Sequence, residues 1–240
     1  MMSDRPLVVV TGASGGMGRA IAARLSAEGF ALRLTDRAGL DEMARDLPNT
    51  QIFAGDLTDP ALQDSVFNGL DRLYGLVNAA GIFSPGDFEA LQAEDFRRMY
   101  EVNVIALFEM SKRAVPLMRL NGGGRIVNIA SRAYQGGPRM AHYAASKGAV
   151  VSLTNSMAIE LGPDQILVNA IAPGVIRTPI LDLWDDPKML AALSRTQAVG
   201  RIGEPEDIAA IVSGLMDPKN GFMTGQCLVV DGGRAGVKLD

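Results

Sequence analysis

The chain is poor in the residues that build disulfides and metal sites. Cys227 is its only cysteine and His142 its only histidine, so an internal disulfide and a cysteine- or histidine-rich metal site are both excluded. Lysine and arginine number 23 against 27 aspartates and glutamates. A formal charge of −4 leaves no basic footprint for nucleic acid or an anionic membrane. We therefore expect no metal ion, nucleic acid or membrane among the partners.

Long apolar segments and targeting signals are also missing. No apolar run approaches the ~20 residues that a membrane-spanning helix requires. The stretch from Met1 to Pro6 leads directly into an apolar run, without the three-part form of a signal peptide. We expect a cytoplasmic protein, and a length of 240 residues suits one well-cored domain.

Short apolar, β-branched runs alternate with segments of helical periodicity from end to end. The runs are Leu7–Val10, Ala31–Thr35, Gln51–Ala54, Gly75–Val77, Arg125–Ile129, Leu167–Ile171 and Cys227–Val230. The helical segments include Met17–Glu28, Glu94–Leu117, Ala144–Leu161 and Pro205–Met216. This alternation predicts an α/β fold, a doubly wound, seven-stranded, mostly parallel sheet with helices on both faces. One domain is expected over 1–240, with 178–203 as a substrate lid within it.

A glycine-rich turn lies between the first predicted strand and the first predicted helix. Its sequence is Thr11-Gly12-Ala13-Ser14-Gly15-Gly16-Met17-Gly18. Glycines permit a tight turn and let backbone N–H groups approach a pyrophosphate at the helix N-terminus. The spacing departs from G-x-G-x-x-G, and a glycine turn can also serve only to cap a helix. The strand before it and Asp36 after it favour dinucleotide binding.

Asp36 ends the second predicted strand, where dinucleotide-binding folds carry a carboxylate that accepts hydrogen bonds from the ribose. The same carboxylate repels the 2′-phosphate of NADP, which favours NAD as the cofactor. Arg37 argues the other way, because a guanidinium suits that phosphate. Gly15 weakens the NADP alternative, since no basic residue stands in the glycine turn to help.

Tyr143 and Lys147 lie four residues apart in a segment with helical periodicity, so their side chains project from one face. An ammonium beside a phenol favours the phenolate and lowers the pKa of the tyrosine. A tyrosine with a pKa near neutrality is suited to general acid/base catalysis. The alternative is an exposed tyrosine beside a solvated lysine, and the surrounding motifs decide between the two interpretations.

Several motifs follow one another in order along the chain. They are Thr11-Gly-x3-Gly-x-Gly18, Asp56 in Gly-Asp-Leu, Asn78-Ala-Ala-Gly81, Asn103, Ser131, Tyr143-x3-Lys147, Pro173-Gly174 with Thr178, and Val230-Asp-Gly-Gly233. Over nearly its whole length the chain thereby resembles the short-chain dehydrogenase/reductase family of the single-domain type. The resemblance implies a Rossmann-like fold, a nicotinamide cofactor, and hydride transfer between that cofactor and a secondary alcohol or ketone. It also implies a homotetramer.

The resemblance implies four catalytic residues, Asn103, Ser131, Tyr143 and Lys147. Tyr143 would move the hydroxyl proton, and Ser131 would hydrogen-bond the reacting oxygen. Lys147 would act on Tyr143 and grip the nicotinamide ribose. Asn103 would hold a water molecule that relays protons to the lysine.

A larger set is implied to bind the cofactor. Its members are Gly12, Ser14, Gly16, Met17, Gly18, Asp36, Arg37, Asp56, Leu57, Asn78, Ala79, Ala80, Gly81, Tyr143, Lys147, Pro173, Gly174, Ile176 and Thr178. Asp56 and Leu57 would hold the adenine ring. Thr178 would hydrogen-bond the nicotinamide carboxamide, and Ile176 would contribute backbone contacts.

The substrate is indicated only by a few residues around the predicted site. Arg132 and Arg139 flank the loop between the predicted catalytic serine and tyrosine, and arginine suits carboxylates and phosphates. They favour an anionic hydroxy or keto compound, with solvated surface arginines as the alternative. His142 is expected in the substrate pocket or on the surface. Trp184 belongs either to an apolar wall of the pocket or to the packing of the lid.

Three other functions stay open. An NADPH-dependent 3-oxoacyl-carrier-protein reductase resembles this chain in length and motifs, although Asp36 argues against NADPH. A dihydrodiol dehydrogenase is a further possibility. A non-catalytic cofactor-sensing protein would keep the fold without the reaction, but the intact set of four catalytic residues argues against it.

Overall fold

The computed structural model describes residues 5–179, 181 and 187–234. The strands are β1 Leu7–Thr11, β2 Ala31–Asp36, β3 Thr50–Ala54, β4 Gly75–Asn78, β5 Gly124–Ile129, β6 Ile166–Pro173 and β7 Cys227–Val230. The helices are α1 Gly16–Ala27, α2 Asp41–Asp46, α3 Pro60–Phe67, α4 Ala93–Tyr100, α5 Ala106–Leu120, α6 Ala141–Leu161, α7 Pro187–Arg195 and α8 Pro205–Met216. The predicted alternation of strands and helices in a single domain is confirmed.

The seven strands form one sheet in the order β3-β2-β1-β4-β5-β6-β7. Every pairing between neighbours is parallel, so the sheet is entirely rather than mostly parallel over the described strands. The chain leaves β1 toward β2 and β3 on one side and later returns to β4 on the other. The carboxyl ends of β1 and β4 therefore flank the point at which the strand order reverses, where open α/β sheets bind ligands.

Burial on both faces explains why the strands are apolar runs without alternation. Val8 and Val10 of β1 pack into a core cluster with residues of α1 and α8. Val9, between them, packs into a second cluster with residues of α3, α5 and α6. Successive side chains of a strand point to opposite faces, so both faces need apolar residues.

The helix expected over Glu94–Leu117 is interrupted. Between α4 and α5 the segment Glu101–Ile105 forms a π-helical turn, in which the N–H of Ala106 donates to the carbonyl of Glu101, five residues earlier. Such bulges are frequent at functional sites. This one contains Asn103, whose side chain is fully buried. The prediction of a continuous helix is wrong here because helical periodicity does not register one widened turn.

Close approach of two loops explains the glycines after β1. Gly12 has a φ of 64°, and a Cβ on it would lie 2.6 Å from the backbone of Ala80, just beyond β4. A Cβ on Gly18 would collide with the carbonyl oxygen of Gly12 and lie 2.8 Å from the Cα of Ala13. These glycines let α1 begin directly against the end of β1.

No helix among the described residues is long and apolar enough to cross a membrane.

We predict that Gly18→Ala destabilises the protein, because the added methyl meets backbone atoms that cannot rotate away. Overpacking of this kind costs about 1–3 kcal/mol in the free energy of unfolding, measurable by urea denaturation. Gly214→Ala is the matched control, since Gly214 is exposed on α8 with no atom within 4 Å of the added Cβ. It should gain about 0.5–1 kcal/mol from helix propensity. Equal stability of the two variants would contradict the packing argument.

Candidate active site

A cleft of about 780 Å³ opens along the carboxyl edge of the sheet. The residues expected from the sequence that line it are Gly12, Gly16, Met17, Gly18, Asp36, Arg37, Asp56, Leu57, Ala79, Ala80, Gly81, Tyr143, Lys147 and Thr178. They come from the glycine turn, from the ends of β2, β3 and β4, from α6, and from the segment after β6. The fold thus brings residues from most of the chain to one elongated site.

Five residues of the expected cofactor-binding set do not line this cleft. Ser14 hydrogen-bonds Asp36 instead. Asn78 is buried and donates to Ser111 and Asn128 inside the sheet. The others are Pro173, the last residue of β6, Gly174, which packs on the backbone of Asp231, and Ile176, which belongs to the hydrophobic core. These five residues make contacts within the protein and do not face the cleft.

The N-terminus of α1 points at the cleft without a side chain to satisfy it. Its N-cap is Gly15, which makes no capping hydrogen bond, and no acidic residue lies in the first turn. The first backbone N–H groups of a helix have no partners within the helix and attract anions. Gly15 and Gly16 both line the cleft and have no side chains, so the backbone is accessible here. This arrangement fits the pyrophosphate of a dinucleotide.

Asp36 lies at the end of the cleft formed by β2. Its Oδ2 accepts hydrogen bonds from the backbone N–H of Ser14 at 3.0 Å and from the Ser14 hydroxyl at 2.7 Å, and its Oδ1 accepts from the N–H of Arg37 at 2.7 Å. These bonds fix the carboxylate beside the glycine turn while the residue still lines the cleft. A carboxylate has about four lone-pair directions, so capacity to accept from ribose hydroxyls is left.

Tyr143 occupies the other end of the cleft, in the first turn of α6. Ser131 follows β5 and lies close enough to Tyr143 to act on its pKa. Burial raises the pKa of Tyr143 above its ordinary value, and the Ser131 hydroxyl opposes the rise. The prediction that Lys147 lowers the pKa of Tyr143 is wrong for this structure. The ammonium lies 5.8 Å from the centre of the phenol ring, and desolvation of the phenol sets the direction of the shift.

Lys147 is buried one turn further along α6. Its side chain is 4% exposed, and Nζ donates to the carbonyl of Ile129 at 2.8 Å. Burial disfavours the charged form and lowers the pKa of Lys147 to about 8. Gly81 stands opposite, where a Cβ would lie 3.3 Å from Nζ and 3.1 Å from Oδ1 of Asn103. A larger residue at position 81 would therefore crowd the side chains of both Lys147 and Asn103.

Asn103 is held by residues far away in the sequence. Its Oδ1 accepts from the N–H of Ile82 at 2.8 Å, and its Nδ2 donates to the carbonyl of Ile82 at 3.1 Å and to Oγ of Ser146 at 3.0 Å. The amide thus binds both backbone groups of one residue, as a neighbouring strand would. The side chain of Asn103 is therefore not bonded to its own helix. It connects the π turn to α6 and to the segment that follows β4.

The two arginines proposed for an anionic substrate are engaged with carboxylates of the protein. Nε of Arg132 lies 2.9 Å from Oδ2 of Asp231, an ion pair whose N–H is not aligned with the acceptor. Nε of Arg139 lies 2.9 Å from Oδ1 of Asp87. Neither arginine lines the cleft. These two ion pairs therefore give no support to an anionic substrate.

The other two proposed substrate residues are His142 and Trp184. His142 is 1% exposed, so the expectation of a surface position is wrong, and it does not line the cleft. It sits beneath the site because adjacent helical residues point in directions about 100° apart. Trp184 lies outside the described residues, as does part of the predicted lid, 178–203.

Sequence reasoning missed one aromatic wall and one charged wall of the cleft. Phe83 lines it and packs edge-on against the Tyr143 ring, with centroids 5.0 Å apart and planes at 76°. Its place two residues after the Asn78–Gly81 motif was an available signal. The charged wall comes from α4 and the π turn and consists of Glu94, Arg97, Arg98 and Glu101. Helical periodicity alone does not show which sheet edge a helix overhangs.

The glycine turn, the carboxylate of Asp36 at the end of β2, and the pair of half-buried Tyr143 and buried Lys147 define the class of the protein. It is a doubly wound, dinucleotide-binding oxidoreductase. A family model described as enoyl-(acyl carrier protein) reductase matches residues 12–235. The chain belongs to the short-chain dehydrogenase/reductase family, whose members are oxidoreductases of alcohols and ketones that use a nicotinamide cofactor. The predicted family and reaction class are confirmed.

Relatives with assigned names match over nearly the whole chain. The short-chain reductase protein NovJ of Streptomyces niveus is 34% identical, over 97% of this chain and 95% of its own length. A meso-2,3-butanediol dehydrogenase of Serratia marcescens is 35% identical, with 97% and 96% covered. A 3alpha-hydroxysteroid dehydrogenase of Mediterraneibacter gnavus is also 35% identical, with 97% and 98% covered.

Solved structures share the fold. The crystal structure of YwfH, an NADPH-dependent reductase involved in bacilysin biosynthesis, superposes with a TM-score of 0.91 at 26% identity. The match covers 98% of this chain and 100% of that one.

We predict that burial of Lys147 makes stability depend on pH. Because its folded pKa of about 8 is below the ordinary value, the folded state binds fewer protons between the two values. The free energy of unfolding therefore rises as pH increases through this window, by about 3 kcal/mol for this residue. In Lys147→Met this contribution is absent. We would measure the free energy of unfolding of both proteins in urea at about pH 7.5 and about pH 10.5. The value for the variant minus the value for the wild type should fall between these two pH values.

Both proteins are compared at one concentration, so that any oligomerisation affects them alike. A difference in stability that does not change with pH would show that Lys147 titrates as it does in water.

Proposed function

We propose that this chain is an NAD-linked dehydrogenase and ketone reductase for secondary alcohols, with Tyr143 as its acid/base. The observation that carries the proposal is the placement of Tyr143 next to buried Lys147, whose Nζ lies 5.8 Å from the phenol ring centre, at one end of a cleft whose other end holds Asp36. A proton-transfer pair and a ribose-type carboxylate in one cleft suit a reaction that moves a hydride and a proton together.

The residues present fit a nicotinamide dinucleotide. The bare N-terminus of α1 suits the pyrophosphate, Asp36 suits the adenosine ribose, and Asp56 with Leu57 lies where the adenine is expected. Thr178 and Lys147 line the cleft toward Tyr143 and suit the nicotinamide half. When bound, the nicotinamide supplies or accepts the hydride.

Proton transfer belongs to Tyr143 and its neighbours. In ketone reduction the phenol gives its proton to the developing alkoxide, while the Ser131 hydroxyl donates a hydrogen bond to the same oxygen and stabilises its charge. Burial raises the pKa of Tyr143 and so keeps the proton donor loaded at neutral pH. Alcohol oxidation needs the phenolate, so its rate should rise with pH. Lys147 hydrogen-bonds the backbone of Ile129 and Asn103 that of Ile82, and these bonds fix two segments that line the cleft near Tyr143.

The preference for NAD rests on Asp36. Its carboxylate is fixed by Ser14 and by the N–H of Arg37, so it cannot turn away from a 2′-phosphate without breaking those bonds. Arg37 lines the same end of the cleft and is exposed, which supports some use of NADP. YwfH is described as NADPH-dependent. We expect NAD to be preferred, by a margin that Arg37 reduces.

A second candidate is reduction of an acyl chain carried by a carrier protein. The description of the matching family model favours it, and a 3-oxoacyl-carrier-protein reductase is the form that suits a tyrosine proton donor. Acetoacetyl-CoA with NADPH is the discriminating probe. Turnover of this probe exceeding that of any secondary alcohol with NAD would favour the second candidate.

Three finer expectations stay predictions: a homotetramer, a cytoplasmic location and a substrate lid over 178–203. We infer a neutral rather than an anionic substrate, because Phe83 lines the cleft next to Tyr143 and both Arg132 and Arg139 pair with carboxylates. Secondary alcohols such as butanediols, cyclic alcohols and hydroxysteroids form a suitable first panel.

We predict that Tyr143→Phe lowers kcat for the best alcohol of this panel by about 1,000-fold, since general acid/base catalysis supplies about 100- to 10,000-fold. The Kd for NAD, measured by calorimetry, should change little because the ring remains. Tyr74→Phe is the matched control: the Tyr74 hydroxyl bonds the carbonyl of Met216 away from the cleft, so activity should persist. Undiminished activity in Tyr143→Phe would overturn the assignment. Wild-type protein that binds NAD yet turns over nothing would favour a cofactor-sensing protein.

We predict that Asp36→Ala shifts the ratio of kcat/KM for NAD over NADP by about 10-fold or more toward NADP, because removal of the like charge admits the 2′-phosphate. Asp46→Ala, an exposed aspartate of α2 outside the cleft, serves as control. A wild-type preference for NADP would show that Asp36 does not select the cofactor.

A further inference from the structure

We propose that His142 is a positioning residue that, through Ser84, seats Phe83 against the Tyr143 ring, and that Phe83 thereby determines which substrates reach the tyrosine. The inference rests on the proposed role of Tyr143. It concerns the segment 82–86, which follows the glycine motif after β4 and contributes Ile82 and Phe83 to the lining of the cleft.

Three consecutive residues of this segment are each held by a different partner. Ile82 is bound through both its N–H and its carbonyl by Asn103. Phe83 packs on Tyr143, and Oγ of Ser84 shares a hydrogen bond of 3.2 Å with Nε2 of His142. Contacts at three consecutive residues, one through the backbone and two through side chains, are uncommon in a loop, where exposed segments usually move freely.

The contacts of Phe83 and Ser84 are both made with neighbouring residues of α6. Phe83 and Ser84 face Tyr143 and His142 respectively, so the pairs run side by side. Because Phe83 and Ser84 are adjacent in the chain, we infer that a shift of the backbone at Ser84 also moves Phe83 relative to the phenol. The edge-on geometry of the two rings, with centroids 5.0 Å apart, is a favoured aromatic arrangement worth about 0.5–1.5 kcal/mol in other proteins. The Tyr143 ring is therefore braced by the segment.

His142 is buried and does not line the cleft, so its role is structural support of the segment. It is 1% exposed, and its ring lies 6.0 Å from that of Phe96 on α4. Its Nδ1 is buried with no hydrogen-bond partner among the described residues, so Ser84 is the polar contact that fixes the ring. Removing Ser84 would leave both nitrogens without a partner, which is costly for a buried group.

Phe83 is placed to act on the substrate as well as on Tyr143. It lines the cleft beside the phenol, so an alcohol whose oxygen reaches Tyr143 must pass its ring. A large apolar side chain at this position favours small or flat groups on the carbinol carbon. Truncating it should admit bulkier alcohols, because specificity follows the space and contacts that a pocket offers in the transition state.

The first test measures the positioning role without any substrate. Hydrogen exchange is followed at the amides of Ile82 and Gly86, whose N–H groups donate to Asn103 and to the carbonyl of Arg139. Ser84→Ala and His142→Leu should each speed exchange there by about 10-fold, and the double variant no more than either alone, because both remove one bond. His142→Gln, which can still bond Ser84, should restore most protection. Additive effects of the two single variants would overturn the positioning role.

Ser84 is exposed, so Ser84→Ala is expected to fold even if His142→Leu does not. Ser65→Ala is its control, since the Ser65 hydroxyl is exposed and bonds only the carbonyl of Leu62 nearby.

The second test measures specificity with 2,3-butanediol as the small probe and a 3α-hydroxysteroid as the large one. Phe83→Ala should raise the ratio of kcat/KM for the large over the small probe by about 10-fold, while the KM for NAD stays unchanged. Phe88→Ala, five positions on with its side chain 78% exposed, is the matched control. Ser84→Ala should lower kcat about 5-fold and leave the KM for NAD unaltered.

An unchanged ratio in Phe83→Ala, with Tyr143→Phe inactive, would refute the specificity role alone. Full activity of Tyr143→Phe would instead refute the proposed mechanism. If the wild type oxidises neither probe, the exchange measurement still decides whether His142 positions the segment.

Discussion

An ammonium group held almost out of water is the constraint around which this site is arranged. Lys147 is 4% exposed and has the carbonyl of Ile129 as its hydrogen-bond acceptor. Burying a charge is costly unless its surroundings compensate, and the neighbouring backbone makes room for it through Gly81. Burial brings its pKa to about 8 and raises that of Tyr143. Two titratable groups with shifted pKa values therefore lie one helical turn apart on α6.

The parallel sheet explains how this pair comes to share a cleft with a nucleotide-type site. Parallel strands end on one edge, and the order reversal between β1 and β4 opens a crevice there. The glycine turn and Asp36 fall at one end of the crevice, and α6 brings Tyr143 to the other. Binding and chemistry are thus separated along one edge but fixed by the same sheet, so distances between them are set by rigid elements.

The Tyr143 end of the cleft is aromatic, and the arginines near it are already paired. Arg132 lies against Asp231 and Arg139 against Asp87, whereas Phe83 lines the cleft and contacts the phenol. An apolar wall with a single proton-transfer group suits a neutral alcohol or ketone better than an anion. The histidine below the wall contributes stiffness, because its one polar contact is to the segment that carries Phe83.

The sequence by itself determined the strand and helix order, the glycine turn, Asp36 and the Tyr143–Lys147 pair, because these follow from periodicity and from short-range spacing. It did not reveal the π turn at Asn103, the burial of His142, the ion pairs of the two arginines, or Phe83 on Tyr143. Each of these depends on contacts between residues distant in the chain, such as Asn103 with Ile82 and Ser84 with His142. The direction of the Tyr143 pKa was also decided by the tertiary structure. Helical spacing supplies a nearby charge, but only the packed fold sets how much water is removed from the phenol.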